Sequence, residues 1–399
     1  MIKNYIHRKY YQDKITPFID KNIIKVIIGQ RRVGKSYILY QIFDTLKQTT
    51  KNNIIYINKE LNEFDSIKTH TDLLRFINTK SKKNKKNYIL IDEIQDINQF
   101  EKALRDLIAK NGYDIYCTGT NATMLSGELA GTLSGRYIEI PIYSLSYPEF
   151  LLFHKLENNT DTFFKYLKYG GLPYLINLTL EDDIIYEYLR NIYNTILFKD
   201  IVNRYNIRNI NFLENLVKFL ASNIGNLITA KKISDYLKSQ KINISVNIVL
   251  NYLSYLQNAY FIFKIPRYDI RGRKIFEIND KYYFEDLGLR HILSSYSMLD
   301  INKVLENIVF MHLKIKGYKI FVGKYNGREI DFICEKNSKK VYIQVTYLIP
   351  DDKVIQREFG GLAHIPDNYP KYVLSMDPLV KGDYHGIEHL SIIDFLSNF

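Results

Sequence analysis

Apolar positions come first as an almost unbroken β-branched run, IIKVII at residues 23–28, which predicts a strand buried on both faces of a parallel sheet. Residues 37–46 then carry apolar side chains at helical spacing. NIIYIN at 53–58 and YILIDE at 88–93 read as further strands, 100–110 as a helix and 114–118 as another strand. Residues 151–200 follow a helical pattern broken at Gly170, Gly171 and Pro173. Residues 211–223, 229–238 and 245–258 predict three helices, the last two opening on Thr and Ser caps. A hairpin is expected next, with strands at 260–267 and 274–277 and Arg271, Gly272 and Arg273 at its tip. From residue 303 the order is helix, three strands (319–322, 329–334, 341–347), helix, and a late strand at 372–375.

The pattern predicts an α/β chain divided at 1–150, 151–210, 211–295 and 296–399, and a length of 399 residues suits several domains rather than one. The first segment is a parallel-sheet domain, the second a helical linker, the third resembles a winged helix, and the last is a second α/β domain.

The break after residue 28 carries the chemistry. Gly29, Gln30, Arg31, Arg32, Val33, Gly34, Lys35 and Ser36 fit the GxxxxGK[ST] pattern of a P-loop, between a strand and a helix as that pattern requires. The two glycines let successive amides turn toward phosphate, Lys35 neutralises the β and γ oxygens, and Ser36 offers its hydroxyl to Mg2+. ATP with Mg2+ is therefore the expected ligand, lined by Gly29, Arg32, Val33, Gly34, Lys35, Ser36 and Tyr37. At the end of YILIDE, Asp92 joins Ser36 in the magnesium shell and Glu93 polarises the attacking water, as in a Walker B motif. The strand at 53–58 is expected to lie between the P-loop and Walker B strands. Beyond residue 118, Thr120 and Asn121 either cap the next helix or sense the γ phosphate, and Asn121 is carried forward as a catalytic candidate.

Composition narrows the setting. With 46% hydrophobic and 25% charged residues the chain should fold, and no apolar run approaches the ~18 residues of a membrane span, so a cytoplasmic protein without a membrane partner is expected. Two distant cysteines, Cys117 and Cys334, make neither a zinc motif nor a disulfide framework. The net charge of +12 is concentrated in residues 201–290, where 14 Lys/Arg face 7 Asp/Glu. There Arg267, Arg271, Arg273 and Lys274 are candidate phosphate contacts for DNA bound without sequence preference. Residues 245–258 hold no Lys or Arg, which argues against base readout and leaves a protein partner equally open.

With GQRRVGKS, YILIDEIQ, CTGTNATML, LSGRYIEIPIYSLSYPEF at 133–150 and YGGLPYL at 169–175, the chain resembles the bacterial and archaeal AAA-family ATPases whose C-terminal half carries the region called DUF4143. The resemblance implies an AAA+-like sheet, ATP hydrolysis, and Arg136 as a candidate arginine finger, acting in its own subunit or in a neighbouring copy of a homo-oligomer. The order of elements after residue 303 resembles a restriction-endonuclease-like PD-(D/E)xK core. In that core Glu306 and Asp331 would be the first two metal-site carboxylates. Gln344, Val345 and Thr346 stand where Glu-x-Lys belongs, so one ligand charge and the lysine are missing; Glu329 shares a strand face with Asp331 and compensates in part, nothing replaces the lysine, and an inactive, scaffold or nucleic-acid-docking domain is expected.

Overall fold

The computed structural model describes residues 5–49, 51–122, 130–133, 135–242, 244–272, 274–276, 279–377 and 382–399. Two compact units emerge: residues 1–143 with 258–260, and residues 144–257 with 261–399. The division falls after residue 143, seven residues before the expected 150, and the three later segments fall in one unit, joined by strand pairing and buried side-chain bonds given below.

The first unit is built on five parallel strands: β1 (Ile24–Ile28), β2 (Asn53–Asn58), β3 (Asn87–Asp92), β4 (Tyr113–Gly119) and β5 (Tyr137–Pro141), in the order β2-β3-β4-β1-β5. All residues of β1 and β3 are buried, which is why both read as continuous apolar runs. Lys25, in the middle of β1, is tolerated there because its ammonium pairs with the equally buried Asp114. The sequence reading misplaced one strand. β2 lies at the outer edge beside β3, and β4 separates the P-loop strand from the Walker B strand. Residues between consecutive strands did not reveal that β4, later in the chain, inserts there.

In the second unit the three expected helices span Ile210–Ser222, Ala230–Ser239 and Val246–Asn258. Thr229 and Ser245 accept hydrogen bonds from the amides of Lys232 and Ile248, as caps should. The hairpin is corrected. β6 (Ile262–Ile265) pairs antiparallel with β9 (Lys281–Phe284), and Ile228 bridges to Asp280 beside it. β7 (Arg267–Asp269) and β8 (Lys274–Ile275) form their own hairpin and leave for another sheet, where β7 runs parallel to β10. Pro266, which has no amide to donate, sits at the switch between the two pairings, and its carbonyl accepts from the Val322 amide.

That larger sheet has the order β14-β15-β13-β12-β11-β10-β7-β8. It contains β10 (Lys319–Tyr325), β11 (Arg328–Lys336), β12 (Lys339–Val345), β13 (Lys371–Ser375), β14 (Gly382–Tyr384) and β15 (Ile387–Ser391). The helix Asp352–Ala363 covers one face, burying Ile355, Phe359 and Leu362 against Ile330, Ile333 and Val373. The helix Ile301–Ile315 is buried almost all round and carries Glu306 into the interior. Cys117 and Cys334 are free and buried. Among the described residues, no helix is long and apolar enough to cross a membrane.

Candidate nucleotide site

The loop after β1 is held in a shape that only its own residues permit. Gly29 passes so close to the chain at Ile142 that a Cβ would stand 2.1 Å from the Ile142 carbonyl oxygen, so any side chain there would displace the backbone. Arg32 (φ 69°) and Gly34 (φ 95°) take left-handed conformations that curl the loop. Val33 is fully buried as the loop's apolar anchor. Its carbonyl accepts a 3.0 Å bond from Arg8 Nη1, which also reaches the Tyr143 carbonyl at 2.8 Å. Lys35 opens the helix Lys35–Thr49, is buried, and donates to the Gln30 carbonyl at 2.8 Å, inside the curve of the loop. Arg32 and Tyr37 are exposed, with Tyr37 edge-on to Tyr5.

Parallel pairing of the strands brings the acidic end of β3 to the same edge of the sheet. Asp92 is fully buried and accepts a 2.5 Å hydrogen bond from the Thr118 hydroxyl at Oδ1, while Oδ2 is buried without a hydrogen-bond partner. Burial pushes its carboxyl up to about 6, against the Thr118 hydroxyl, the Ser36 hydroxyl and the Lys35 ammonium, which favour the charged form. A divalent cation would supply what that oxygen lacks, and Ser36 stands beside it: the residues fit Mg2+. Glu93 takes a left-handed backbone (φ 55°), with its amide donating to Thr118 Oγ1 at 2.8 Å and its carboxylate held by the Gln95 side-chain amide. A non-glycine residue in that conformation, stabilised on both sides, is strain of the kind found where geometry serves function. Thr120 Oγ1 and Gln30 Oε1 are likewise buried without hydrogen-bond partners, and Asn121 is buried beyond the end of β4, whose Gly119 pairs with Ile28.

Three contributors were invisible to sequence reading. Thr118 ends the strand expected at 114–118, Gln95 lies two residues past Glu93, and Arg8 lies 25 residues from the Val33 carbonyl it grips; no local spacing marks any of them.

Other candidates fall elsewhere. Arg136 is exposed at the start of β5, where its carbonyl accepts from the Ile24 amide. β5 is parallel to β1, so Arg136 lies at the opposite end of the sheet from Gly29, roughly 16 Å along a five-residue strand. The Arg136 backbone therefore stands at the end of the sheet away from the P-loop. Arg267 stacks over Phe276 with its guanidinium 5.1 Å from the ring centroid; Arg271 and Lys274 are exposed; Arg273 lies outside the described residues. Glu306 and Asp331 do converge, and Gln344 Oε1 accepts from the Asp331 amide at 3.2 Å. The carboxylates are not without a cation: Lys281, from β9, places its ammonium 3.1 Å from Glu306 and 3.3 Å from Asp331. Strand β9 is distant in sequence from the expected Glu-x-Lys segment, so the motif spacing could not show it.

Residues 21–151 match the AAA domain family, and residues 160–300 match a domain of unknown function, DUF8612, in place of the DUF4143 region that the motifs suggested. An uncharacterized protein of Haemophilus influenzae is 37% identical over 99% of this chain and 100% of its own length. An uncharacterized protein of Methanocaldococcus jannaschii is 34% identical over 82% of this chain and 75% of its own. Among solved structures, the Walker-type ATPase of Pyrococcus abyssi superposes with a TM-score of 0.50 at 14% identity, over 73% of this chain and 96% of that one, a likeness of fold. The P-loop geometry, the AAA domain match and the near full-length identity place the chain in one family of AAA-domain proteins with its Haemophilus influenzae relative.

Proposed function

We propose that the chain binds Mg-ATP at residues 29–36 and hydrolyses it, using the nucleotide state to change how its C-terminal half engages a partner. The observation that carries this reading is the buried, half-satisfied Asp92 carboxylate beside Ser36 and Lys35, a place built for a cation and the phosphates it accompanies. In it, Lys35 and the loop amides bind the β and γ phosphates, Ser36 and Asp92 hold Mg2+, Glu93 orients the attacking water, and Asn121 stands at the γ-phosphate side. Bound Mg2+ would neutralise charge building on the transferred phosphoryl group. Arg136 acts, in this reading, on the site of a neighbouring copy. Calorimetry with Mg-ATP tests binding: heat that saturates in the wild type and disappears in Lys35→Ala is expected. Glu93→Gln should keep that heat and lose phosphate release by at least about a hundredfold, within the usual range for a general base; turnover unchanged in Glu93→Gln rejects Glu93, and no heat in the wild type rejects the site.

For the partner, the basic hairpin β7–β8 supports duplex DNA bound through phosphates, since Arg271 and Lys274 are exposed on the edge of a sheet rather than buried in it. The three helices with β6, β9 and the Ile228 to Asp280 bridge fit a winged helix. A second reading, a protein partner, is favoured by that fold's third helix, where Val246, Ile248 and Leu250 are exposed apolar side chains.

A further inference from the structure

The interior of the second unit holds a cluster that the nucleotide chemistry does not use. Lys281, on β9, is 1% exposed, and its ammonium lies 3.1 Å from Glu306 Oε2, 2.7 Å from Glu329 Oε1 and 3.3 Å from Asp331 Oδ1. Three carboxylates thus come from two elements, the helix Ile301–Ile315 and β11, while the cation comes from a third. Glu306 and Asp331 have further partners. Glu306 Oε2 accepts from the Tyr283 hydroxyl at 2.9 Å and Oε1 from Lys303 at 2.6 Å. Asp331 Oδ2 accepts from the Val345 amide at 3.0 Å, and Gln344 is turned to the Asp331 amide.

The arrangement is that of a cation site: convergent carboxylates on rigid elements around one positive charge, with a neutral hydroxyl at the side. Isolated burial of Glu306 and Asp331 would be prohibitive, whereas the Lys281 ammonium between them and Lys303 at the margin offset that charge, and Glu329 joins from the exposed rim. The ammonium is tethered. Lys281 is fixed on β9 by pairing with Ile265, and its ammonium is 1% exposed between the buried Glu306 and Asp331.

We infer that Lys281 is the resident cation of this centre, occupying the seat that a divalent metal would take among Glu306, Glu329 and Asp331, so that the second unit is closed to metal by one side chain. The centre is an ionic tie, joining β9 to the helix Ile301–Ile315 and to β11. A divalent ion would have to displace a covalently tethered charge, and its entry beside Lys281 would set like charges together at the cost described by Coulomb repulsion in a low-dielectric interior. Removing the ammonium should leave the buried Asp331 uncompensated and Glu306 with Lys303 alone, and open the seat.

The test uses the full chain without nucleotide and is independent of ATP binding. Fe2+ with ascorbate and peroxide cuts backbone beside bound ions, and Mn2+ stoichiometry by equilibrium dialysis counts them. In the wild type, no cleavage near residues 306 and 331 is expected, and Asp331→Asn should bind the same number of Mn2+ ions as the wild type. Lys281→Met should gain one Mn2+ per chain, with new cleavage near 306 and 331, and lose both in the double variant with Asp331→Asn. Cleavage near 306 and 331 in the wild type, or one fewer Mn2+ in Asp331→Asn, overturns the inference without any variant of Lys281. A folded Lys281→Met chain that gains no ion overturns it as well.

Discussion

Thr118 shows how one hydroxyl can hold two functional groups. It donates to Asp92 and accepts from the Glu93 amide, so it fixes the carboxylate proposed for Mg2+ and the backbone of the proposed base together. Thr118→Val keeps the shape and removes both bonds. A lost hydrogen bond to a charged group is worth about 1.5–3 kcal/mol, so Mg-ATP turnover should fall about 10-fold or more. Turnover within twofold of the wild type would show that Asp92 needs no such support. A second residue, His312, sits on the helix Ile301–Ile315 with both ring nitrogens buried and without hydrogen-bond partners, and burial pushes it from 6.5 down to about 3. The sign follows from that depression: below pH 6.5 the unfolded chain takes up a proton that the folded chain refuses, so stability is lost as pH falls. At pH 5.5 the loss from this group is roughly 1.4 kcal/mol relative to pH 8. Denaturant titrations of His312→Leu at the two pH values should show a difference smaller by about that amount, and equal pH dependence in variant and wild type would reject the assignment.

At the scale of elements, the most consequential event is the departure of β7 and β8 from the strands expected to accompany them. Strands were expected at 260–267 and 274–277 as one hairpin; strands do form at Ile262–Ile265 and Lys274–Ile275, but they take different partners, because pairing depends on which edge is free. The edge of the larger sheet was open beside β10, and the hairpin closed it. Its charges therefore border a sheet of eight strands and stand beside aromatic rings, with Lys324 and Arg267 both over Phe276. If duplex DNA is the partner, changing Arg271 and Lys274 to Ala should flatten the dependence of log affinity on log salt by roughly 0.9 for each lost phosphate contact. Fluorescence anisotropy with random duplex at several salt concentrations reads this directly. A slope unchanged by the double substitution, or no binding by the wild type, removes DNA and leaves the protein-docking reading.

At the scale of the whole molecule, the parallel sheet of the first unit separates the Arg136 backbone from the P-loop of its own chain, so the finger role proposed for it calls for a second copy. Specific ATPase activity should rise with protein concentration, and Arg136→Ala should keep Mg-ATP binding while losing turnover by at least about tenfold, a modest expectation beside the effects an arginine finger can have. Activity that is independent of concentration and unaffected by the substitution would leave Arg136 as a surface charge. The sequence by itself determined what is local: the strand, loop and helix around Gly29 to Ser36, the carboxylates closing β3, the caps at Thr229 and Ser245, and the succession of elements after residue 303. Each depends on spacing within one or two turns or a single strand, and such spacing is written along the chain. Only tertiary structure decided that β4 inserts between β1 and β3, that Arg8 and Thr118 support the site, that Arg136 stands at the far edge, and that Lys281 stands among Glu306, Glu329 and Asp331. Those are contacts between positions 25 to 50 residues apart or more, chosen by free sheet edges and by the need to compensate buried charge, and neither quantity exists until the chain has folded.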